Sequence, residues 1–287
     1  MCDLFGRSRQ AYYQRSKYNY KEEVKEELLL QLVEKQRKLM PKIGGRKLLE
    51  LIQTGLPTEL SIGRDGFFDF MRRHGLLVGK RRRRVKTTYS NHWLHKYPNL
   101  IKEFTPTQAN QLWVSDITYI ETVAGFVYLS LITDAYSRKI VGWSIGKTLE
   151  AKYTIDALRM ALKQLPKGTE GLIHHSDRGV QYCCGDYVKT LNKNKVKISM
   201  TENGDPRENA IAERMNGILK VEWLNQIKLK SIEDAIKELK QIVHIYNSHR
   251  PHSSLDMKTP EYAHSQSGVF KKHWKTYYKT AQTAVWY

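Results

Sequence analysis

The chain has 287 residues, with 48 Lys and Arg against 29 Asp and Glu, and a formal net charge of +19. That length supplies a sizeable core and two or three domains, and the charge points to a polyanionic partner, nucleic acid or an acidic membrane surface. No apolar run approaches the roughly 18 residues needed to span a bilayer, and the N-terminus does not read as a signal peptide, so a cytoplasmic protein without a membrane partner is expected. Cys2, Cys183 and Cys184 are the only cysteines. An odd count with two adjacent members suits neither a structural disulfide nor a paired metal site, so the thiols are expected to be reduced.

The basic excess is uneven. Residues 1–100 hold 22 basic and 10 acidic side chains, a net of +12, which leaves +7 of the +19 for residues 101–287. Within that first part, Leu28, Leu29, Leu32, Val33 and Leu39 recur at near-helical intervals between charges and predict a helix from Lys21 to Met40, stopped by Pro41. Lys47 to Ile52 reads as a second helix, and Asp65 to His74 as a third, closed by Gly75. Short helices with Gly-containing breaks and a basic surface resemble helix-turn-helix modules, although a plain three-helix bundle has the same pattern. Residues 1–79 are assigned on this basis to a helix-turn-helix-like DNA-binding region. Lys80, Arg81, Arg82, Arg83 and Arg84 are then consecutive cations; such a run repels itself and resists packing, so residues 80–107 are expected to form a basic linker lying along phosphates.

From Asn110 the texture changes. Leu112 to Ile120, Phe126 to Thr133 and Lys139 to Ser144 read as strands, followed by a helix from Ala151 to Gln164. Leu172 to His175 is a fourth strand, Val180 to Asn192 a helix and Val196 to Met200 a fifth strand. Three consecutive strands and then alternating helices and strands predict an α/β fold, a ribonuclease H-like mixed five-stranded sheet flanked by helices, over residues 108–250. Residues 251–287 are left as a C-terminal tail. Tyr119, Tyr128 and Trp143 lie on predicted central strands and are expected in the core rather than as base-stacking platforms.

Three acids stand out against this plan. Asp116 sits within the strand Trp113-Val-Ser-Asp-Ile-Thr-Tyr119, where an ionised side chain between apolar neighbours is costly unless paired or metal-bound. Asp177 follows the fourth strand in His174-His-Ser-Asp-Arg-Gly179, at a strand's C-terminal end where open α/β sheets bind ligands. With thirty-five residues between it and Asp177, Glu213 falls on a helix from Asn209 to Trp223, sharing one face with Asn209, Asn216, Gly217 and Lys220, opposite Ile211, Met215 and Ile218. Singly, each has a plainer reading, as a salt-bridged edge residue, a turn former beside Gly and a solvated amphipathic face. Together, three carboxylates suit hard divalent ions, Mg²⁺ or Mn²⁺, and a pair of such ions drives in-line displacement at phosphorus. Asp116 would serve both ions, Asp177 and Glu213 one each, with Lys220 toward a DNA phosphate. Glu202, Asp205 and Glu208 compete for the third place but lie in a Gly- and Pro-containing loop.

Four motifs carry a family resemblance: Trp113-Val-Ser-Asp-Ile-Thr-Tyr-Ile120; His175-Ser-Asp-Arg-Gly-Val-Gln-Tyr182; Gly204-Asp-Pro-Arg-Glu-Asn-Ala210 with Glu213 and Leu219-Lys220; and Tyr246-Asn-Ser-His-Arg-Pro-His-Ser-Ser-Leu255 with Thr259-Pro260. In order and spacing the chain resembles the DDE transposases of bacterial insertion sequences, and within them the second-frame product of insertion sequence family three, whose core is similar to retroviral integrases. The resemblance implies that Asp116, Asp177 and Glu213 bind two Mg²⁺ ions. It further implies that the enzyme cuts double-stranded DNA at the element's terminal repeats and transfers the 3′-hydroxyl to another phosphodiester. Action as a homo-oligomer on paired ends in the bacterial nucleoid is implied as well, with a first-frame protein or fusion supplying further end-binding helices. Glu208 and Val180 depart from the family's usual residues without touching the triad. Asn209 is expected at the DNA beside Lys220, while His249, Arg250 and His252 either contact DNA or cap the core. The competing reading is a non-catalytic DNA-binding protein that retains the fold.

Overall fold

A computed structural model describes residues 9–79, 93–202 and 206–270. The chain divides into two compact units, Met1–Arg84 with Val221–Gln226 and Val85–Lys220 with Ile227–Tyr287.

In the first unit the leading helix begins earlier than the leucine pattern predicts, and α1 runs over Arg9–Leu39. Leu29 and Val33, one helical turn apart, are buried along with Met40 and Ile43, which follow the helix. Then come α2 (Gly45–Gln53), burying Leu48, Leu49 and Ile52, and α3 (Arg64–Arg73), burying Phe67, Phe70 and Met71. Gly75 closes α3 at a φ of 63°, a left-handed conformation that glycine adopts without a steric penalty. Trp223 belongs to this unit, and its Nε1 donates to the Leu39 carbonyl over 2.8 Å.

The second unit is built on five strands. β1 (Leu112–Thr122), β2 (Gly125–Asp134) and β3 (Ile140–Gly146) form an antiparallel meander. β4 (Ile173–Ser176) pairs parallel with β1, and β5 (Lys197–Met200) parallel with β4, giving the order β3-β2-β1-β4-β5 with β3 at an edge. This is the ribonuclease H-like mixed sheet expected from the sequence.

Side chains alternate across each strand, so β1 sends its residues to two different cores. Trp113 joins Ile132, Val141 and Ile198 against α4 (Ala151–Gln164), α5 (Val180–Cys183) and α6 (Gly185–Lys193), where Leu158, Tyr187 and Leu191 are buried. Leu112 and Val114 pack on the opposite face with Ala135, Ile173 and Ala212, the last on α7 (Ala210–Glu222). The helix expected from Val180 to Asn192 is in fact two, because Cys184 takes an extended backbone, φ −67° and ψ 144°, between α5 and α6. Cys183 and Cys184 are both free thiols; Cys2 lies outside the described residues.

A further helix, α8 (Ile232–Ser248), has Ser231 as its N-cap. Its Asn247 amide accepts from the Ile140 backbone N–H at 2.9 Å and donates to the Ile140 carbonyl at 3.0 Å, pairing with the edge strand as another backbone would. Residues 251–270 are a folded part of this unit and not the start of a tail. Thr259 caps α9 (Pro260–His264), Leu255 and Ala263 are buried, and a bridge joins Ser267 to Gln108. Tyr119, Tyr128 and Trp143 are half-buried and do not form the core as expected, since the apolar interior is filled by their neighbours Ile120, Leu129 and Val141.

Candidate active site

The parity of β1 decides what Asp116 faces. Even-numbered Leu112 and Val114 point to the α7 side, so Asp116 does too, while Ser115 points the other way and donates its hydroxyl to the Leu131 carbonyl over 3.2 Å. β1 and β4 run parallel with Val114 level with His175. Two residues further along each chain, that register brings Asp116 level with Asp177 at the C-terminal end of β4. Glu213 lies in the first turn of α7, on the helix that covers this face, and is exposed.

The electrostatics tie the three acids together. Burial first, then the negative charge of Asp177 and more weakly that of Glu213, push the Asp116 carboxyl up to about 7. Hydrogen bonds from the Asn216 side chain, 2.9 Å to Oδ2, and from the Ile117 N–H, 2.9 Å to Oδ1, act in the opposite sense by favouring the ionised form. Asp177 Oδ1 accepts from the Gly179 N–H at 3.0 Å, which curls the chain back into α5. A side chain at Gly179 would bring a Cβ within 3.0 Å of that same oxygen, so the turn favours glycine. Among the described residues, no three His, Cys, Asp or Glu side chains are grouped tightly enough to hold a metal ion as they stand.

The remaining expected residues divide sharply. Lys220, further along α7, places Nζ 3.9 Å from the centre of the Tyr119 ring. Asn209 turns inward: it is 6% exposed and its Nδ2 donates to the Ser115 carbonyl at 3.0 Å, so it fastens the chain before α7 to β1 and does not present itself to DNA. The reason is local geometry. Asn209 belongs to the 3₁₀ turn Pro206–Asn209 ahead of α7, so a spacing of 100° per residue does not carry back to it. Lys80, Arg81, Arg82, Arg83 and Arg84 lie outside the described residues. Glu208 is held by the Glu202 N–H at 2.6 Å; burial pulls the His175 imidazole down to about 4, opposed by a hydrogen bond with the Glu208 backbone and by the Glu208 charge.

Asn216 is the residue whose role sequence reasoning misses. Helical spacing puts it on the Glu213 face, yet it is 5% exposed and reaches Asp116 directly. The one signal for it is its position a turn after Glu213. The C-terminal motif resolves in favour of capping the core: Arg250 is 1% exposed and His252 7%, and the Tyr246 hydroxyl meets His252 Nε2 at 2.6 Å and donates to the Arg138 carbonyl at 3.0 Å. His249 is exposed.

Comparison with known proteins extends these observations. Residues 106–206 match a family model described as integrase core domain, and residues 194–260 match a second model of the same description. The chain is 35% identical over 265 residues to the insertion element IS600 uncharacterized 31 kDa protein of Shigella sonnei, spanning 91% of this chain and 96% of that one. It is 39% identical over 167 residues to the transposase for insertion sequence element IS904 of Lactococcus lactis subsp. lactis (strain IL1403), covering 57% of this chain and 65% of that protein. Among solved structures, the HTLV-2 integrase catalytic core domain in complex with magnesium, in its trimeric form, aligns with 56% of this chain and 99% of its own at 19% identity and a TM-score of 0.44.

Proposed function

Because the chain belongs to the insertion-sequence transposases that carry an integrase core domain, we propose that it cleaves and rejoins DNA phosphodiesters at Asp116, Asp177 and Glu213. The observation that carries this reading is geometric: the parallel register of β1 and β4 sets Asp116 level with Asp177, and Asn216, one turn after Glu213 on α7, donates to Asp116 Oδ2 at 2.9 Å. Like charges placed in this way oppose one another unless a cation or a proton intervenes, and an all-oxygen donor set suits a hard divalent ion. Mg²⁺ or Mn²⁺, two ions bound by these carboxylates, would supply Lewis-acid activation of the attacking oxygen and charge neutralisation at the leaving oxygen.

The chain's own residues have definite tasks in this scheme. Asn216 and the Ile117 N–H orient the Asp116 carboxylate and favour its ionised form. The Gly179 N–H fixes Asp177. Lys220, stacked on Tyr119, contributes positive charge for a phosphate of the DNA end. Cleavage consumes one water: its oxygen bonds to phosphorus, the bond to the bridging 3′-oxygen breaks, and a 3′-hydroxyl and a 5′-phosphate result. In the joining step that 3′-hydroxyl displaces the oxygen of a target phosphodiester, so bonds formed and broken balance without an external energy source. No covalent protein intermediate takes part.

The partners follow from the same reading. Double-stranded DNA, as terminal repeats and target, is the substrate, and the helical N-terminal unit with the basic run from Lys80 to Arg84 supplies sequence-independent grip. A homo-oligomer holds two ends together, and a first-frame protein contributes further end recognition. Action at the nucleoid in the cytoplasm belongs to the same reading, and among the described residues no helix is long and apolar enough to cross a membrane.

The test is metal-dependent 3′-end nicking and joining on duplexes bearing the element's flanking repeats, comparing wild type with Glu213→Gln. A loss of about a thousandfold, near 4 kcal/mol of barrier, with DNA binding retained is expected. Equal activity of the two proteins would remove Glu213 from the site and transfer its role to another acid such as Glu208.

A further inference from the structure

Three contacts tie the α7 region to β1, and they fall in the same order along both. Asn209, in the turn before α7, meets the Ser115 carbonyl, Asn216 meets Asp116, and Lys220 lies over the ring of Tyr119. The helix therefore runs alongside the strand and in its direction. From Glu213 to Lys220 is seven residues of helix, about 10 Å at roughly 1.5 Å each. From Asp116 to Tyr119 is three residues of strand, again about 10 Å. Two elements that carry acids of the site thus carry, at matched distances beyond them, the two halves of one cation–ring contact.

The ring itself is braced. Tyr119 is half-buried, and Phe126 of β2 meets it in a T-shaped arrangement, with centroids 5.5 Å apart and planes at 85°, a geometry that the ring quadrupoles favour. Phe126 is 58% exposed, so burial of its own surface does not explain its place. Glu121, directly across from Phe126 in the β1–β2 register, is exposed on the same face. A carboxylate there repels phosphate, which is drawn instead to the Lys220 side of the pair. A lysine side chain is flexible and samples many rotamers, whereas an ammonium within about 6 Å of a tyrosine ring is attracted to its face. The ring narrows that sampling to one place beside the strand of Asp116.

We propose that Tyr119, braced by Phe126, is a positioning residue: it sets the Lys220 ammonium at a fixed offset from the three acids and so determines which phosphodiester of the DNA end is brought to them. This role rests on the strand-transfer reading above and deepens it. Each nucleotide of a B-form strand advances about 3.4 Å along the axis. A cation about 10 Å beyond the acids along α7 and β1 therefore meets a phosphate about three steps from the one under attack. Without the ring the ammonium meets neighbouring phosphates as well, and the cut slips along the strand.

The test is 3′-end nicking by the full chain with Mg²⁺ on duplexes bearing the element's flanking repeats, with every cut mapped to the nucleotide. Tyr119→Phe keeps the ring and should cut where the wild type does. Tyr119→Leu keeps apolar bulk without a ring face; it should spread cuts over adjacent phosphodiesters and lower the rate at the wild-type position by about tenfold. Lys220→Gln should do the same, and the double variant no more than Lys220→Gln alone. In spectra of the chain with isotope-labelled lysines, recorded without DNA, the Lys220 side-chain protons should lie upfield in wild type and Tyr119→Phe and lose that ring shift in Tyr119→Leu. A sharp wild-type cut in Tyr119→Leu, additive losses in the double variant, or Lys220 signals indifferent to Tyr119→Leu would overturn the positioning role and leave the nicking reading intact. No cutting by the wild type would overturn that reading and this role with it.

Discussion

The Asn216 side chain on α7 donates to Asp116 Oδ2 on β1 over 2.9 Å, one amide joining the helix of Glu213 to the strand of the central aspartate. This bond favours the ionised carboxylate. Its removal in Asn216→Ala should raise the Asp116 pKa further, because burial and the Asp177 charge then act with less opposition. The acid limb of a pH profile of metal-dependent nicking should consequently move to higher pH. A coincident pair of profiles for variant and wild type would show that Asn216 does not tune this acid.

Asp116 itself should behave as a stability liability without metal. Its folded pKa of about 7 exceeds the ordinary 3.8, so folding favours the protonated form. That contribution is complete below about pH 4 and is lost as the pH rises through 7, on the order of 4 kcal/mol. Asp116→Asn carries no such loss. In chelator, urea unfolding of the variant should show greater stability than wild type at pH 8, with the gap closing toward pH 4. Added Mg²⁺ should narrow the gap at pH 8 by stabilising the wild type. A gap independent of pH would contradict the assigned coupling.

Gly142 on β3 lies directly beneath α4. An added Cβ would approach the Ala157 carbonyl to 2.2 Å and the Ala161 Cβ to 3.0 Å. Both obstacles belong to a helix that cannot yield locally, so Gly142→Ala should cost about 2–3 kcal/mol through displacement of α4. Thermal unfolding measures it, and a change below about 0.5 kcal/mol would mean that α4 moves freely.

Replacing Arg81, Arg82, Arg83 and Arg84 by Gln should weaken DNA binding alike for all sequences. The log-log salt dependence should become shallower by about 0.9 for each phosphate that the run no longer neutralises. An unchanged slope would reduce the run to a tether.

Where local pattern determines structure, the sequence is readable. The alternation from Leu112 defines β1 and sends Asp116 to the same face as Val114. The predicted span of α4, Ala151–Gln164, is the observed one, since Pro166 ends it and Leu158 marks its buried stripe. Pattern fails where tertiary contacts override it. Between Val180 and Asn192 only Gly185 hints at a break, and it does not by itself specify the extended Cys184 before it, next to which Tyr182 and Tyr187 meet at 5.5 Å in one core. Thr259-Pro260 is a helix-start signal too short to stand alone, because burial of Leu255 and Ala263 gives the segment its reason to fold. In the site, Asn209 and Asn216 look like a polar helical face, yet both are spent on β1, and only the position of α7 over the sheet reveals it.

The Asn247 pairing with Ile140 has a meaning outside catalysis. β3 is an edge of the sheet, and an open edge offers unpaired N–H and C=O groups on which a second chain can nucleate. The Asn247 amide occupies both groups of Ile140, and Gln164 Nε2 caps the Val141 carbonyl at 2.8 Å. Two side-chain amides, one from α8 and one from α4, thus close the start of this edge to strand addition. Loss of Asn247 would therefore threaten solubility as well as stability, by exposing a template for intermolecular β-pairing.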